Sequence, residues 1–143
     1  MMTTVSARSL GEIAALVARA YPHESCGWVR SSGGVEPVVN TARDPRRAYA
    51  FSFAENLRFE AAFLTADPPV AVYHSHPDGP ATLSAADLEH ALFEGAPLHP
   101  VRQIVVGVSA GQPRRITEYA FAADGYAVCQ TVSLPIPPQE QGS

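Results

Sequence analysis

Apolar residues recur at helical spacing near the start of the chain, at Leu10, Ile13, Val17 and Tyr21. That is the repeat of one face of an amphipathic helix. Ser9 followed by Glu12 looks like a capping box, so a first helix is expected over roughly 7–20, stopped by Pro22. Cys26–Arg30 is short and apolar, Ser31-Ser32-Gly33-Gly34 marks a turn, and 35–40 is strand-like; together they read as a hairpin. The polar stretch 41–48 contains Pro45 and reads as a loop. Tyr49, Phe51 and Phe53 alternate as a strand requires, and Ser52 with Glu55 forms a second capping pair. Leu57, Phe59, Ala62 and Phe63 predict a second helix ending before Pro68-Pro69. Val70–Tyr73 reads as a buried strand running into His74-Ser75-His76 and broken by Pro77-Asp78-Gly79-Pro80. Ser84 opens a third helix with Leu88, Ala91 and Leu92 on one face. Three more strands are expected over 101–108, 115–121 and 126–132, with turns at Gly111-Gln112-Pro113 and Asp124-Gly125. From Leu134 the chain turns proline-rich, and an extended or disordered tail is expected over 134–143.

Composition narrows the class. A chain of 143 residues fits one domain, here 1–133, and is too short for a (β/α)8 barrel, which needs at least ~200 residues. An apolar content of 46% with 17% charged residues suits a soluble globular protein rather than a disordered one. The net charge is −4, and all ten basic residues are arginine. They are scattered, apart from Arg46-Arg47 and Arg114-Arg115, which argues against a nucleic-acid groove. No apolar run approaches the ~20 residues of a membrane-spanning helix. The stretch Leu10–Ala20 is broken by Gly11, Glu12 and Arg19, so it lacks a secretory core. Cys26 and Cys129 form neither a disulfide framework nor a CxxC motif. A cytoplasmic protein with no nucleic-acid or membrane partner is expected.

The segment Tyr73-His74-Ser75-His76-Pro77, followed by Ser84 and Asp87, carries the chemistry. Two histidines two apart at a strand end project to the same face and can grip one zinc ion through ring nitrogens. Asp87, in the first turn of the next helix, can return a carboxylate to the same ion. Two His and one Asp leave a fourth position for water, the pattern of a catalytic zinc site. Ser84-x-x-Asp87 is equally an N-cap signature, and both readings can hold together. Cys26 reads as a small buried residue, Tyr73 as core, and His90 as solvated or as a partner behind Asp87. The deaminase signature, His-x-Glu with a later Pro-Cys-x-x-Cys, is absent.

His-x-His, seven residues, Ser, two residues, Asp resembles the motif of the JAMM (MPN-plus) zinc metalloproteases. Glu24, within Pro22-His23-Glu24-Ser25-Cys26-Gly27, resembles the upstream Glu of the short prokaryotic members. Asn40-Thr-Ala-Arg-Asp-Pro, the aromatic stretch 49–53 and Tyr73 match more loosely, so the likeness covers most of 5–132. It implies an α+β, single-domain JAMM/MPN-like fold, a curved mixed sheet with about three flanking helices. It further implies one zinc per chain on His74, His76 and Asp87, with Glu24 as general base and Ser84 bonding the oxyanion. The implied reaction is cleavage of the amide bond after the C-terminal glycine of a ubiquitin-like or sulfur-carrier β-grasp protein, by tail trimming, release of cargo such as cysteine, or deconjugation. Some MPN relatives only scaffold complexes, and possession of all five residues favours the enzyme over that alternative. The short spacing between His76 and Ser84 suggests a compact enzyme without linkage selectivity.

Overall fold

A computed structural model describes residues 3–135 of the chain. Most of the expected tail therefore lies outside the described residues. The order of elements is α1 (Ala7–Ala20), β1 (Cys26–Arg30), β2 (Val35–Val38), α2 (Phe53–Ala62), β3 (Pro69–His76), α3 (Ala85–Ala91), β4 (Leu92–Phe93), β5 (Ala96–Pro97), β6 (Arg102–Ser109), β7 (Gln112–Ala122) and β8 (Gly125–Ser133). Six strands form one sheet in the order β2-β1-β3-β6-β7-β8, and β4 with β5 makes a separate small hairpin. Only β3 and β6 run parallel; every other pair in the large sheet is antiparallel. The fold is thus α+β with a mixed sheet and three helices, as expected.

The interior position of β3 explains its sequence. A strand flanked on both sides and covered on both faces reads as a continuous apolar run, and Ala71 to Ser75 are all buried. Its side chains alternate between two cores. Ala71 and Tyr73 join Leu10, Ile13 and Val17 of α1, with Ile104, Val106 and Ile116, on one face. Val72 joins Cys26, Trp28, Phe59 and Ala62 on the α2 face. His74 and His76 share the parity of Val72, so they emerge on the α2 face at the strand's carboxyl end.

Two glycines permit close approaches. A Cβ on Gly27 would lie 2.6 Å from Cε2 and 2.7 Å from the hydroxyl of Tyr73. A Cβ on Gly107 would lie 2.8 Å from the Ala81 amide nitrogen and 3.0 Å from the Gly79 carbonyl. Gly107 therefore lets the loop between β3 and α3 lie directly on the sheet.

The structure corrects four sequence expectations. Helix α1 has the expected extent, but Ser6 caps it by accepting from the Ser9 amide at 3.2 Å. Ser9 instead donates its hydroxyl to the Gly33 carbonyl at 2.6 Å. The stretch holding Tyr49 and Phe51 is not a strand, and Phe53 opens α2. Its backbone bonds locally, the Ala50 carbonyl accepting from the Thr41 amide at 3.0 Å. Leu57 is exposed, whereas Phe59 and Ala62 carry the buried face of α2. Helix α3 buries no residue, and Leu92 belongs to β4. No helix of the described residues is long and apolar enough to cross a membrane.

Candidate metal and catalytic site

His74 and His76 stand at the end of β3, and Asp87 is brought to them by the start of α3. Ser84 caps that helix: its Oγ accepts from the Asp87 amide at 3.1 Å, and its own amide donates to Asp87 Oδ2 at 2.9 Å. This is a complete capping box, which fixes the Asp87 carboxylate. The same Oδ2 lies 3.1 Å from His74 Nε2 and 3.1 Å from His76 Nε2. The two Nε2 atoms are themselves 3.1 Å apart. Three ligand atoms thus form a near-equilateral triangle, and the cap and ligand readings of Ser84-x-x-Asp87 coexist.

The donors and acceptors around this triangle limit what can sit within it. His76 Nδ1 lies 2.8 Å from the Pro80 carbonyl, and a carbonyl only accepts, so Nδ1 carries a proton. In the neutral ring Nε2 then has only a lone pair, and it faces the lone pairs of Asp87 Oδ2. Such a pair needs a cation between them, a proton or a metal. Zinc holds ligand atoms at about 2.0–2.2 Å, which sets tetrahedral ligands roughly 3.3 Å apart. The observed 3.1 Å spacings fit that within a few tenths of an ångström. The Nδ1 bond to Pro80 is also the kind of outer contact that orients a ligating imidazole.

His74 is held differently. Its ring is fully buried, and its Nδ1 finds no hydrogen-bond partner among the described residues. Packing orients it instead: the Tyr49 ring stacks on it at 4.7 Å and 22°. Exposed His90 stacks on the same tyrosine at 5.2 Å and 8°. His90 therefore supports Tyr49 and has no bond to Asp87 among the described residues.

Glu24 arrives from the other side of β3. Cys26 pairs with His74 in register, and Ser25 and Ser75 exchange two bonds, Ser25 N–H to Ser75 Oγ at 2.8 Å and Ser75 N–H to the Ser25 carbonyl at 3.0 Å. Continuing this antiparallel register sets Glu24 against His76. Glu24 is buried, yet with His76, Ser84 and Asp87 it lines one cleft of about 380 Å³ whose mouth carries Arg46 and Arg47. All five residues expected from the sequence thus converge.

The electrostatics follow from burial and contact. Burial pushes the Glu24 carboxyl up to about 7; nearby His76 opposes this and Asp87 adds to it. Burial also disfavours an ionised Asp87, but the contacts with His74 and His76 and the bond from the Ser84 amide outweigh it and hold the carboxyl well below its ordinary range. Burial lowers His74 despite Asp87. For His76 burial is outweighed by Asp87 and the Pro80 carbonyl, which raise it. Burial pushes the Cys26 thiol up to about 12, leaving it a poor nucleophile; it is a buried core residue, as expected.

Sequence reasoning missed two contributors. Tyr49 was absorbed into a supposed strand. Asn40, noted only as part of a loose match, ties the loop beside the site to Glu24. A polar residue just past a strand carried no signal of that kind on its own.

Comparison with known proteins agrees with this geometry. Residues 6–121 match the family model described as prokaryotic homologs of the JAB domain. A curated protein of Haloferax volcanii named Desampylase is 36% identical over 81 residues. That match covers 52% of this chain and 58% of the relative, so the chain spans little more than half the length of the relative. A solution structure of a protein from Desulfitobacterium hafniense covers 89% of both chains with a TM-score of 0.66 at 22% identity, a likeness of fold. Another, from Salinibacter ruber, covers 97% of both chains with a TM-score of 0.58 at 28% identity.

Proposed function

Because the chain belongs to the prokaryotic homologs of the JAB domain, we propose that it is a zinc-dependent peptidase or isopeptidase. Its substrate is a ubiquitin-like or sulfur-carrier protein, cut at the amide bond after the C-terminal glycine. The observation that carries this reading is the triangle of His74, His76 and Asp87 ligand atoms beside Glu24 and Ser84 in one cleft. The relative named Desampylase supports a tag-like protein as substrate. The reading places the protein in the cytoplasm, with one catalytic domain over 1–133.

His74 Nε2, His76 Nε2 and Asp87 Oδ2 would hold the ion. Bound zinc supplies Lewis acidity and brings the pKa of a coordinated water from ~15.7 to near 7. Glu24 accepts the proton of the attacking water on its carboxylate and delivers it to the leaving amine. Ser84 Oγ already accepts from the Asp87 amide, so its own proton is free to bond the oxyanion of the tetrahedral intermediate. Tyr49 shields His74 from water on one ring face. A glycine tail suits the cleft, because only glycine lets a backbone pass so close to the reacting centre.

Elemental analysis of the purified protein tests the reading. About one zinc per chain is expected, lost in a His74→Ala/His76→Ala double variant. Glu24→Gln should keep the zinc and lose turnover of a carrier ending in Gly-Gly. Full turnover in Glu24→Gln would remove the proposed base. Absence of metal after zinc reconstitution would leave a scaffold.

A further inference from the structure

We propose that Asn40 is the positioning residue for Glu24. This inference rests on the reading of Glu24 as the proton-transferring group. The side chain of Asn40 makes four hydrogen bonds and one longer contact that shares a donor hydrogen, all to backbone. Its Nδ2 donates to the carbonyls of Glu24 at 3.1 Å and Ala48 at 2.9 Å, with that of Pro45 at 3.4 Å. Its Oδ1 accepts from the amides of Ala42 at 2.9 Å and Ala50 at 3.1 Å. An amide side chain has two donor hydrogens and two acceptor lone pairs, so its capacity is filled. Carbonyls surround one end and amides the other, which leaves a single assignment of oxygen and nitrogen.

The pattern ties Glu24 to the loop 41–50 and ties that loop to itself. Glu24 precedes β1, outside the sheet ladder, and must be held from elsewhere. Its amide donates to the Pro45 carbonyl at 2.7 Å and its carbonyl accepts from Asn40. Both tethers lead to the loop 41–50, and Asn40 is what folds that loop back, gathering Pro45 and Ala48 on one side and Ala42 and Ala50 on the other. His74 and His76 are mounted on β3 and Asp87 on the capping box of α3, with the Tyr49 ring stacked on His74. Asn40 therefore bonds the backbone of the general base directly, and reaches the ligands only through the loop that carries Tyr49. No other side chain fits: aspartate would aim a carboxylate at three carbonyls, and glutamine is one methylene too long.

The experiment compares Asn40→Ala and Asn40→Asp with Thr41→Ala, whose hydroxyl bonds only the Ala50 carbonyl of the same loop. Assays are run below the melting temperature of every variant. Hydrogen exchange at the Glu24 amide is the first readout and needs no activity. Its protection should fall at least ~10-fold in both Asn40 variants, while the Ser75 amide stays protected. The second readout uses a carrier-derived peptide ending in Gly-Gly-aminomethylcoumarin. The Asn40 variants should keep one zinc per chain and a KM near wild type, with kcat reduced roughly 10- to 100-fold, the loss expected for a displacement near 1 Å. Thr41→Ala should retain wild-type kcat. Unchanged Glu24 protection, an equal kcat loss in Thr41→Ala, or loss of zinc in the Asn40 variants would overturn the inference. A wild type that holds zinc but turns over no substrate would instead overturn the function on which it rests, and the exchange data would still show whether Asn40 holds Glu24.

Discussion

One oxygen atom, Asp87 Oδ2, accepts from the Ser84 amide and lies against both histidines. At the residue scale, the helix cap and the candidate metal cluster share one carboxylate. Ser84→Ala separates the two roles of the serine. The variant loses the bond to the Asp87 amide, about 1 kcal/mol of cap, but its own amide still donates to Oδ2. Zinc content should therefore stay at one per chain while kcat falls by ~10²-fold or more, the scale of a lost oxyanion donor. Metal analysis beside steady-state kinetics reads both. The cluster of His74, His76 and Asp87 was legible in the sequence because its spacing encodes geometry: two apart on a strand puts imidazoles on one face, and a cap fixes the third residue after it. Glu24 was legible only through its family likeness, because one glutamate before a strand has no local pattern. Tyr49 and Asn40 act across the chain fold, on His74 and on Glu24, and no periodicity reports such contacts.

Elements emerged from the sequence where burial runs long, on one face in α1 and on both faces in β3 and β6. The α1 face and the strands β3, β6, β7 and β8 lie within a few residues of expectation. The aromatic stretch 49–53 misled because alternation was taken for a strand, whereas Phe51 and Phe59 pack edge to face at 6.0 Å beneath α2. Helix α2 is fastened to the edge of the sheet by charge. Glu36 of β2 accepts from Arg30 of β1 at 2.7 Å and from Arg58 of α2 at 2.7 Å, and both guanidinium groups lie over the Trp28 ring. The bond from Arg30, with further help from Arg58, holds the Glu36 carboxyl below its ordinary range against the effect of burial. A depressed carboxyl contributes stability that is present above its unfolded pKa of about 4.3 and is lost as pH falls through its folded value. Glu36→Gln should therefore be less stable than wild type at pH 7 in urea unfolding, and the gap should close progressively below about pH 4. A gap independent of pH would show that shape, not charge, is what Glu36 supplies.

On the scale of the whole molecule, a buried carboxylate on β7, outside the lining of the cleft, closes the fold. Glu118 is fully buried on β7, pairs with Arg102 of β6, and accepts from Gln130 of β8 at 2.6 Å. It also accepts from the Val5 amide at 3.0 Å, so the segment before α1 is tied to the sheet. Gln130 completes the tie by donating to the Val5 carbonyl at 3.0 Å. Glu118→Ala removes the acceptor of the Val5 amide and of Gln130. A loss of at least ~1–3 kcal/mol, the scale of a stranded buried donor, is expected, measured by denaturant unfolding, with zinc binding by the folded fraction unchanged. The sequence showed an ordinary alternating strand here, since nothing local distinguishes a buried glutamate from a solvated one.

The double duty of Asp87 also bears on how such a site would decay over generations. Histidines that no longer serve catalysis can drift, because β3 asks only that their positions be filled. Ser84 and Asp87 are retained for a second reason, since the start of α3 depends on their reciprocal bonds whether or not an ion is held. A descendant that had abandoned hydrolysis would thus be expected to carry a fossil half of the motif, the Ser-x-x-Asp surviving after the His-x-His has gone.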